Sequence, residues 1–218
     1  MTDADEAVED ALRAMLATDR PGDSVLGEER GLTGLSDRRW IIDGIDGTDS
    51  FAAGRSEWGT LIALQVDGDV VVGVADAPVL GRRFWAIRGG GTYAATDEER
   101  TPRRLGVNRG VDIHRCRVIV PPLSWCRDDR DVAAANRVAM ATPPAVPTEH
   151  PAIQVAMGGC EAAIFFRTGP WDIAAPALIV EEAGGKYTDL DGHRRLDSGC
   201  AVYSNGLIHD ELLRLLSS

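Results

Sequence analysis

The run Trp40-Ile41-Ile42-Asp43-Gly44-Ile45-Asp46-Gly47-Thr48 ends an apolar stretch in two carboxylates three positions apart and follows them at once with Gly-Thr. Ile41 and Ile42 predict a short buried strand, with Asp43 at its carboxyl end and Asp46 one turn further on. Gly47 and Thr48 offer backbone N–H groups to an anion where a helix begins. Far along the chain, Trp171-Asp172-Ile173-Ala174-Ala175 sets another isolated acid at the opening of an apolar helix. Taken singly, an Asp-x-x-Asp after a strand is more often a capped turn, Glu28-Glu29 a solvated pair and Asp172 an ordinary helix cap. Together, three acids and an anion nest point to metal-assisted phosphate chemistry.

At 218 residues and 44% hydrophobic, the chain can bury a large core, and no linker divides it into independent domains. A net charge of −11 argues against a nucleic-acid or membrane surface, which needs basic patches. No apolar run approaches the roughly 20 residues of a membrane span. Cys116, Cys126, Cys160 and Cys200 are scattered, with no C-x-x-C pair and no signal peptide, which suits reduced thiols in the cytoplasm.

Apolar residues at 7, 8, 11, 12, 15 and 16 predict a helix over 6–17. Ser24-Val25-Leu26 reads as a short strand, and Gly31 to Asp37 as a polar loop. Runs 60–66 and 70–75 flank Asp67-Gly68-Asp69 as a hairpin, and 84–87 and 92–94 bracket Arg88-Gly89-Gly90-Gly91 as a second. No helix follows the triple glycine, so it reads as a structural turn rather than a phosphate loop. A strand at 117–120, a helix around 131–140 and a Pro-rich stretch from 143 to 151 follow. Pro176 fits the helix opened by Asp172 if its missing N–H falls among the unpaired first four. Trp40, Trp58, Trp85 and Trp171 read as core. His114, His150, His193 and His209 show no ligand spacing and suit surface or loop positions, and Arg82 and Arg83 suit solvent.

Gly27-Glu28-Glu29, Asp43 to Thr48, and Trp171-Asp172-Ile173-Ala174-Ala175 with Glu182-Ala183-Gly184-Gly185 resemble, in order and spacing, the inositol monophosphatase superfamily of Mg2+-dependent phosphomonoesterases. Gly73-Val74-Ala75-Asp76-Ala77-Pro78, Arg82-Arg83-Phe84-Trp85-Ala86 and the closing Ser204 to Glu211 look most like its actinobacterial histidinol-phosphatase branch. The resemblance implies an α/β (α+β) fold, the αβαβα sugar-phosphatase sandwich. One catalytic domain would span 1–218, with an antiparallel, metal-binding half over 1–110 and a smaller α/β half over 111–218. It also implies two or three Mg2+ ions and a homodimer. Glu28, Asp43 and the Ile45 carbonyl would hold one ion, and Asp43, Asp46 and Asp172 a second. Glu28 and Thr48 would orient the attacking water, Gly47 and Thr48 N–H groups would grip the phosphate, and Asp46 would lie near the proton's return. Asp5 and Glu29 would stand behind the metal cluster.

Three departures bear on substrate. The chain begins at the Thr-x-Ala-Asp segment, where members usually carry one more helix, so that element is expected to be missing. Gly44 replaces a proline and would loosen the turn, while Asp49 replaces a basic residue and adds charge near the substrate. Before Trp171, where a glutamate normally contacts substrate hydroxyls or an amine, Phe166 or Arg167 falls nearest. The expected substrate is a small-molecule phosphate monoester: histidinol phosphate, an inositol or sugar phosphate, or a nucleoside monophosphate. The alternatives are a 3′,5′-bisphosphate nucleotidase of the same superfamily and a degenerate binding or regulatory protein.

Overall fold

Asp67 and Gly68, both at positive φ, make the two-residue hairpin turn whose twist matches the strands it joins. It connects β4 (Gly59–Val66) to β5 (Asp69–Ala77) in a computed structural model that describes residues 2–99 and 101–218. Around this hairpin lie β1 (Ser24–Gly27), β2 (Gly31–Thr33), β3 (Arg38–Asp46), β6 (Arg82–Ile87), β7 (Gly91–Thr96) and β8 (Arg103–Arg104). They form one eight-stranded sheet in the order β2-β1-β3-β4-β5-β6-β7-β8, antiparallel except for the β1–β3 pair. A second sheet runs β11-β12-β10-β9, from β9 (Val118–Ile119), β10 (Ala162–Phe165), β11 (Lys186–Thr188) and β12 (Ala201–Ser204).

Among the described residues, six α-helices complete the layers: α1 (Asp3–Asp19), α2 (Thr48–Ala52), α3 (Asp129–Ala141), α4 (Pro151–Ala156), α5 (Pro170–Glu182) and α6 (His209–Ser217). Residues 173 to 180 of α5 are all buried, the mark of a helix enclosed on every side. It lies with α4 between the two sheets, in a core that includes Ile41, Leu61, Ile173, Leu178, Tyr187 and Tyr203. A second core packs α3 and α6 on the far face of the small sheet, through Val138, Ile164, Val202 and Leu212. With α1 against β3, the order is helix, sheet, helix, sheet, helix, the layered sandwich expected.

Several local expectations give way. β3 is nine residues long and carries both acids within it, because its pairing with β4 continues past Ile42. Gly31–Thr33 pairs with β1 as an edge strand rather than looping freely. Helix α1 buries Asp5 and Glu9 and exposes Met15, so its inward face is charged rather than apolar. Gly44 lies inside β3, where an added Cβ would come within 3.2 Å of the Asp5 carbonyl and the Glu9 nitrogen. Its smallness admits α1 there; it does not loosen a turn. Because α5 begins at Pro170, Pro176 lies beyond the first four positions and deprives the Asp172 carbonyl of its i+4 donor. The triple glycine is a turn as expected, and the Glu182 carboxylate accepts the N–H groups of Gly89 and Gly91 at 2.8 and 2.9 Å.

Gly73 sets the distance between α5 and the large sheet, since a Cβ there would stand 2.8 Å from the Ala175 carbonyl oxygen. Gly73→Ala should therefore cost about 1–3 kcal/mol by overpacking. The check is a lower midpoint in guanidinium at unchanged m value; an unchanged midpoint would show that the contact is slack.

Candidate active site

On a regular strand, residues three apart face opposite sides of the sheet. β3 pairs with β4 at Asp43↔Leu61 and again at Asp46↔Gly59, so three steps on one strand match two on the other. This β-bulge turns Asp46 to the side that Asp43 faces, and the charge of Asp172 bears on both. Glu28 comes off the end of β1, whose parallel pairing sets Gly27 beside Ile42. Asp172 sits in the first turn of α5, where its Oδ2 accepts the Gly169 N–H at 2.5 Å and the Thr168 hydroxyl at 2.9 Å.

Ligand oxygens of Glu28, Asp43 and Asp172 lie within 4.8 Å of one another. Asp43 is 2% exposed, and its Oδ2 is buried without a hydrogen-bond partner. Among the described residues, no Lys or Arg forms an ion pair with these three acids. An orphaned carboxylate oxygen among converging acids suits a hard divalent cation with oxygen ligands. Asp46 stands outside the trio, its Oδ2 3.8 Å from His150 Nε2. The Thr48 hydroxyl lies 3.2 Å from the Ile45 carbonyl oxygen and 3.1 Å from Asp5 Oδ1, and its single proton serves one of them at a time.

The acids oppose one another's ionisation. Desolvation, helped by the charges of Asp172, Glu29 and Asp5, pushes Glu28 up to about 7. Desolvation and neighbouring acids raise Asp43 and Asp46 further; desolvation also raises Asp172, against the opposing pull of the Gly169 N–H and the Thr168 hydroxyl. Asp5 differs. Burial lifts it, but donors from Thr2 and the Thr48 hydroxyl outweigh that and hold it below the usual carboxylate range. Glu29 is raised by burial and then by Asp5, and its buried Oε2 has no partner.

Helix α1 braces the cluster through two residues that the sequence reading passed over. Glu9, 0% exposed, accepts the N–H groups of Glu29 at 2.8 Å and Arg30 at 3.1 Å, and so fixes the loop that carries Glu28. Arg13 Nε donates to Glu9 at 2.7 Å, and its Nη2 to the Gly31 carbonyl at 2.6 Å. A Cβ on Gly27 would fall 2.4 Å from Glu9 Oε1. The available signal was Asp5, Glu9 and Arg13 at four-residue intervals, one charged face of a helix.

Beside Asp46 opens a cavity of about 690 Å³, whose lining includes Gly47, Trp58, Trp125, His150 and Phe165. Phe166 is corrected: it is 1% exposed in the outer core, because alternation along β10 turns Phe165 toward the cavity and Phe166 away. Arg167 and Asp49 are exposed and do not line it. His150 and His209 are not surface residues. Burial holds His150 down at about 4, so it stays neutral, and His209 is enclosed between Thr188 and Ser204. Arg82 is not simply solvated but pairs with the buried Glu149. The four tryptophans read as core are all only partly buried.

The model of the inositol monophosphatase family matches residues 1–218. A histidinol-phosphatase of Mycobacterium tuberculosis is 42% identical over 223 residues, covering 100% of this chain and 85% of that protein. A histidinol-phosphatase of Streptomyces coelicolor is 38% identical over 224 residues, covering 100% and 84%. Among solved structures, an IMPase of Thermotoga maritima superposes with a TM-score of 0.84 at 27% identity, covering 100% of this chain and 83% of that one.

Two outcomes test this geometry. Each raised carboxyl holds a proton in the folded, cation-free chain that the unfolded chain releases near pH 4, so stability falls as pH rises through about 7 at Glu28 and higher at its neighbours. In EDTA the Tm should decline from roughly pH 5 to 8, and a saturating divalent cation should abolish the decline; a rise in EDTA would contradict the clustering. Glu9→Gln should cost about 1–3 kcal/mol in denaturant unfolding and weaken cation affinity in calorimetry. Unchanged affinity would show that the loop holds Glu28 without α1.

Proposed function

The chain belongs to the inositol monophosphatase family, and from that membership we propose that it uses Mg2+ held by Glu28, Asp43, Asp46, Asp172 and the Ile45 carbonyl. It is a phosphoric monoester hydrolase. The observation that carries the metal assignment is the buried, unpartnered Asp43 Oδ2 among acids with no basic partner. We read two or three ions there, and residues 1–218 as one catalytic unit acting on small-molecule phosphate monoesters, with a homodimer as the assembly and the cytoplasm as its place.

When bound, such cations neutralise the phosphate dianion and lower the pKa of water toward neutrality. The chain's own residues do the rest. Asp5, held ionised, accepts the hydrogen bond of the Thr48 hydroxyl, which leaves the Thr48 oxygen free to accept from water. Glu28 stands across the cluster to receive the proton as that water attacks phosphorus in line. Gly47 and Thr48 N–H groups, at the opening of α2, hold the phosphate oxygens. Asp46, at the mouth of the cavity, faces the departing oxygen and lies near the water that returns its proton.

The test is phosphate release from histidinol phosphate, inositol 1-phosphate, sugar phosphates, nucleoside monophosphates and a 3′,5′-bisphosphate. Each is run with Mg2+, with EDTA, and with Asp172→Asn. Hydrolysis of a monoester should fall by roughly a hundredfold or more in both controls, equivalent to several kcal/mol of transition-state stabilisation. Hydrolysis that survives EDTA would overturn the metal assignment.

A further inference from the structure

The registers Ile62↔Val74, Val72↔Ile87, Val74↔Trp85 and Trp85↔Tyr93 put these six side chains on one face of the large sheet, while Leu61, Ala75, Phe84 and Ala86 point the other way into the core. None of the six belongs to either hydrophobic core, and Ile87 is 56% exposed. Among the described residues, helix packing on this outer face is confined to α1 against β3. An apolar floor over β4 to β7 is left bare. A groove of about 700 Å³, whose lining includes Asp76, Arg83, Trp85, Ala95 and Thr96, carries that floor to its rim.

Helix α1 has the matching defect. Glu6 and Asp10 pair with Arg30, just past β1, and Arg13 reaches the Gly31 carbonyl of β2, so its charged flank leans toward that edge of the sheet. Asp5 and Glu9 are buried beneath it, against Gly44 of β3. At 3.6 residues per turn, Ala4, Ala11 and Met15 fall on the opposite flank, beside the bare floor, with Ala7 and Ala14 turned outward. Ala7, Ala11, Ala14 and Met15 are exposed, and no residue of α1 enters either core. Alanines on these sides let a second helix approach to about 8–10 Å between axes.

Resting on the homodimer reading above, we infer that a second copy of this chain covers the floor, each copy laying its α1 on the floor of the other. The two helices then run antiparallel as one layer between two sheets, about a two-fold axis. A single helix from another protein could fill the floor but would leave the outward alanines of α1 bare; the two-fold arrangement covers both surfaces at once. Charge agrees with this pairing. α1 carries six acids and one base, while Arg83 and Arg104 stand on the floor's far strands. Area agrees too. The chain exposes 10842 Å², about 1,100 Å² more than the scaling of surface with mass gives a folded monomer of its size. A standard stable interface takes about 800 Å² from each partner.

The experiment measures mass and dimer Kd by light scattering and sedimentation, for the native chain and for Ala11→Glu, Ile87→Glu, Val79→Glu and Met140→Glu, with circular dichroism as the check on folding. The native chain should run as two copies. Ala11→Glu sets like charges against each other across the two-fold axis, and Ile87→Glu puts an acid under an acidic helix, so each should raise Kd about tenfold or more. Val79 and Met140 are 56% and 89% exposed on other surfaces, and their variants should leave Kd unchanged. A native dimer that ignores Ala11→Glu and Ile87→Glu, or that Val79→Glu or Met140→Glu dissociates instead, would overturn the proposal and leave the homodimer reading standing. A native chain that stays single at every concentration would remove both. Should Ala11→Glu and Ile87→Glu fail to fold, hydrogen exchange of the native chain decides: dilution through Kd should speed exchange of the α1 amides about tenfold, and unchanged α1 exchange would place the interface elsewhere.

Discussion

Mutual repulsion among carboxylates is the constraint around which this fold is arranged. Glu28, Asp43 and Asp172 approach within 4.8 Å of one another, with Asp46 close by, in a site that also desolvates them. Like charges so near would separate if flexible loops carried them. Here three rigid supports oppose the separation: the parallel β1–β3 pair, the bulged end of β3 and the enclosed helix α5. Proton uptake, or a cation, relieves what rigidity alone would have to bear.

The bracing is itself electrostatic. Glu9 lies on the inner face of α1 and anchors the Glu28 loop by its backbone rather than by side-chain contact. Arg13 compensates Glu9 and also grips the Gly31 carbonyl, so one buried pair ties helix, loop and edge strand together. This arrangement keeps cationic side chains off the clustered carboxylate oxygens while leaving few buried charges alone.

Much of the site was legible because its residues are close in sequence or bear strong local signals. Asp43, Asp46, Thr48 and Glu28 lie at strand ends or bulges next to glycines, and Asp172 opens an apolar helix. What failed were inferences about facing. Two-residue alternation along β10 sends Phe165 inward and Phe166 outward, and the strand's register cannot be fixed without knowing its partner β12. The apolar positions of α1 suggested its inner face, but the helix packs where it must present acids and admit Gly44. His150 carried no spacing signal, because its neighbours in the cavity, Asp46 and Phe165, are joined to it only by the tertiary fold.

Glu28 follows β1 of the large sheet and Asp172 belongs to the helix that separates the two sheets, with most of the chain running between them. A cation gripped by both would act on chain topology as a cross-link does, closing a very long loop in any partly opened form. The entropy of such closure grows only with the logarithm of loop length, but at this span it is already large. The ion's grip would then be felt far from the phosphate, as resistance to peeling of one layer of the sandwich from the next.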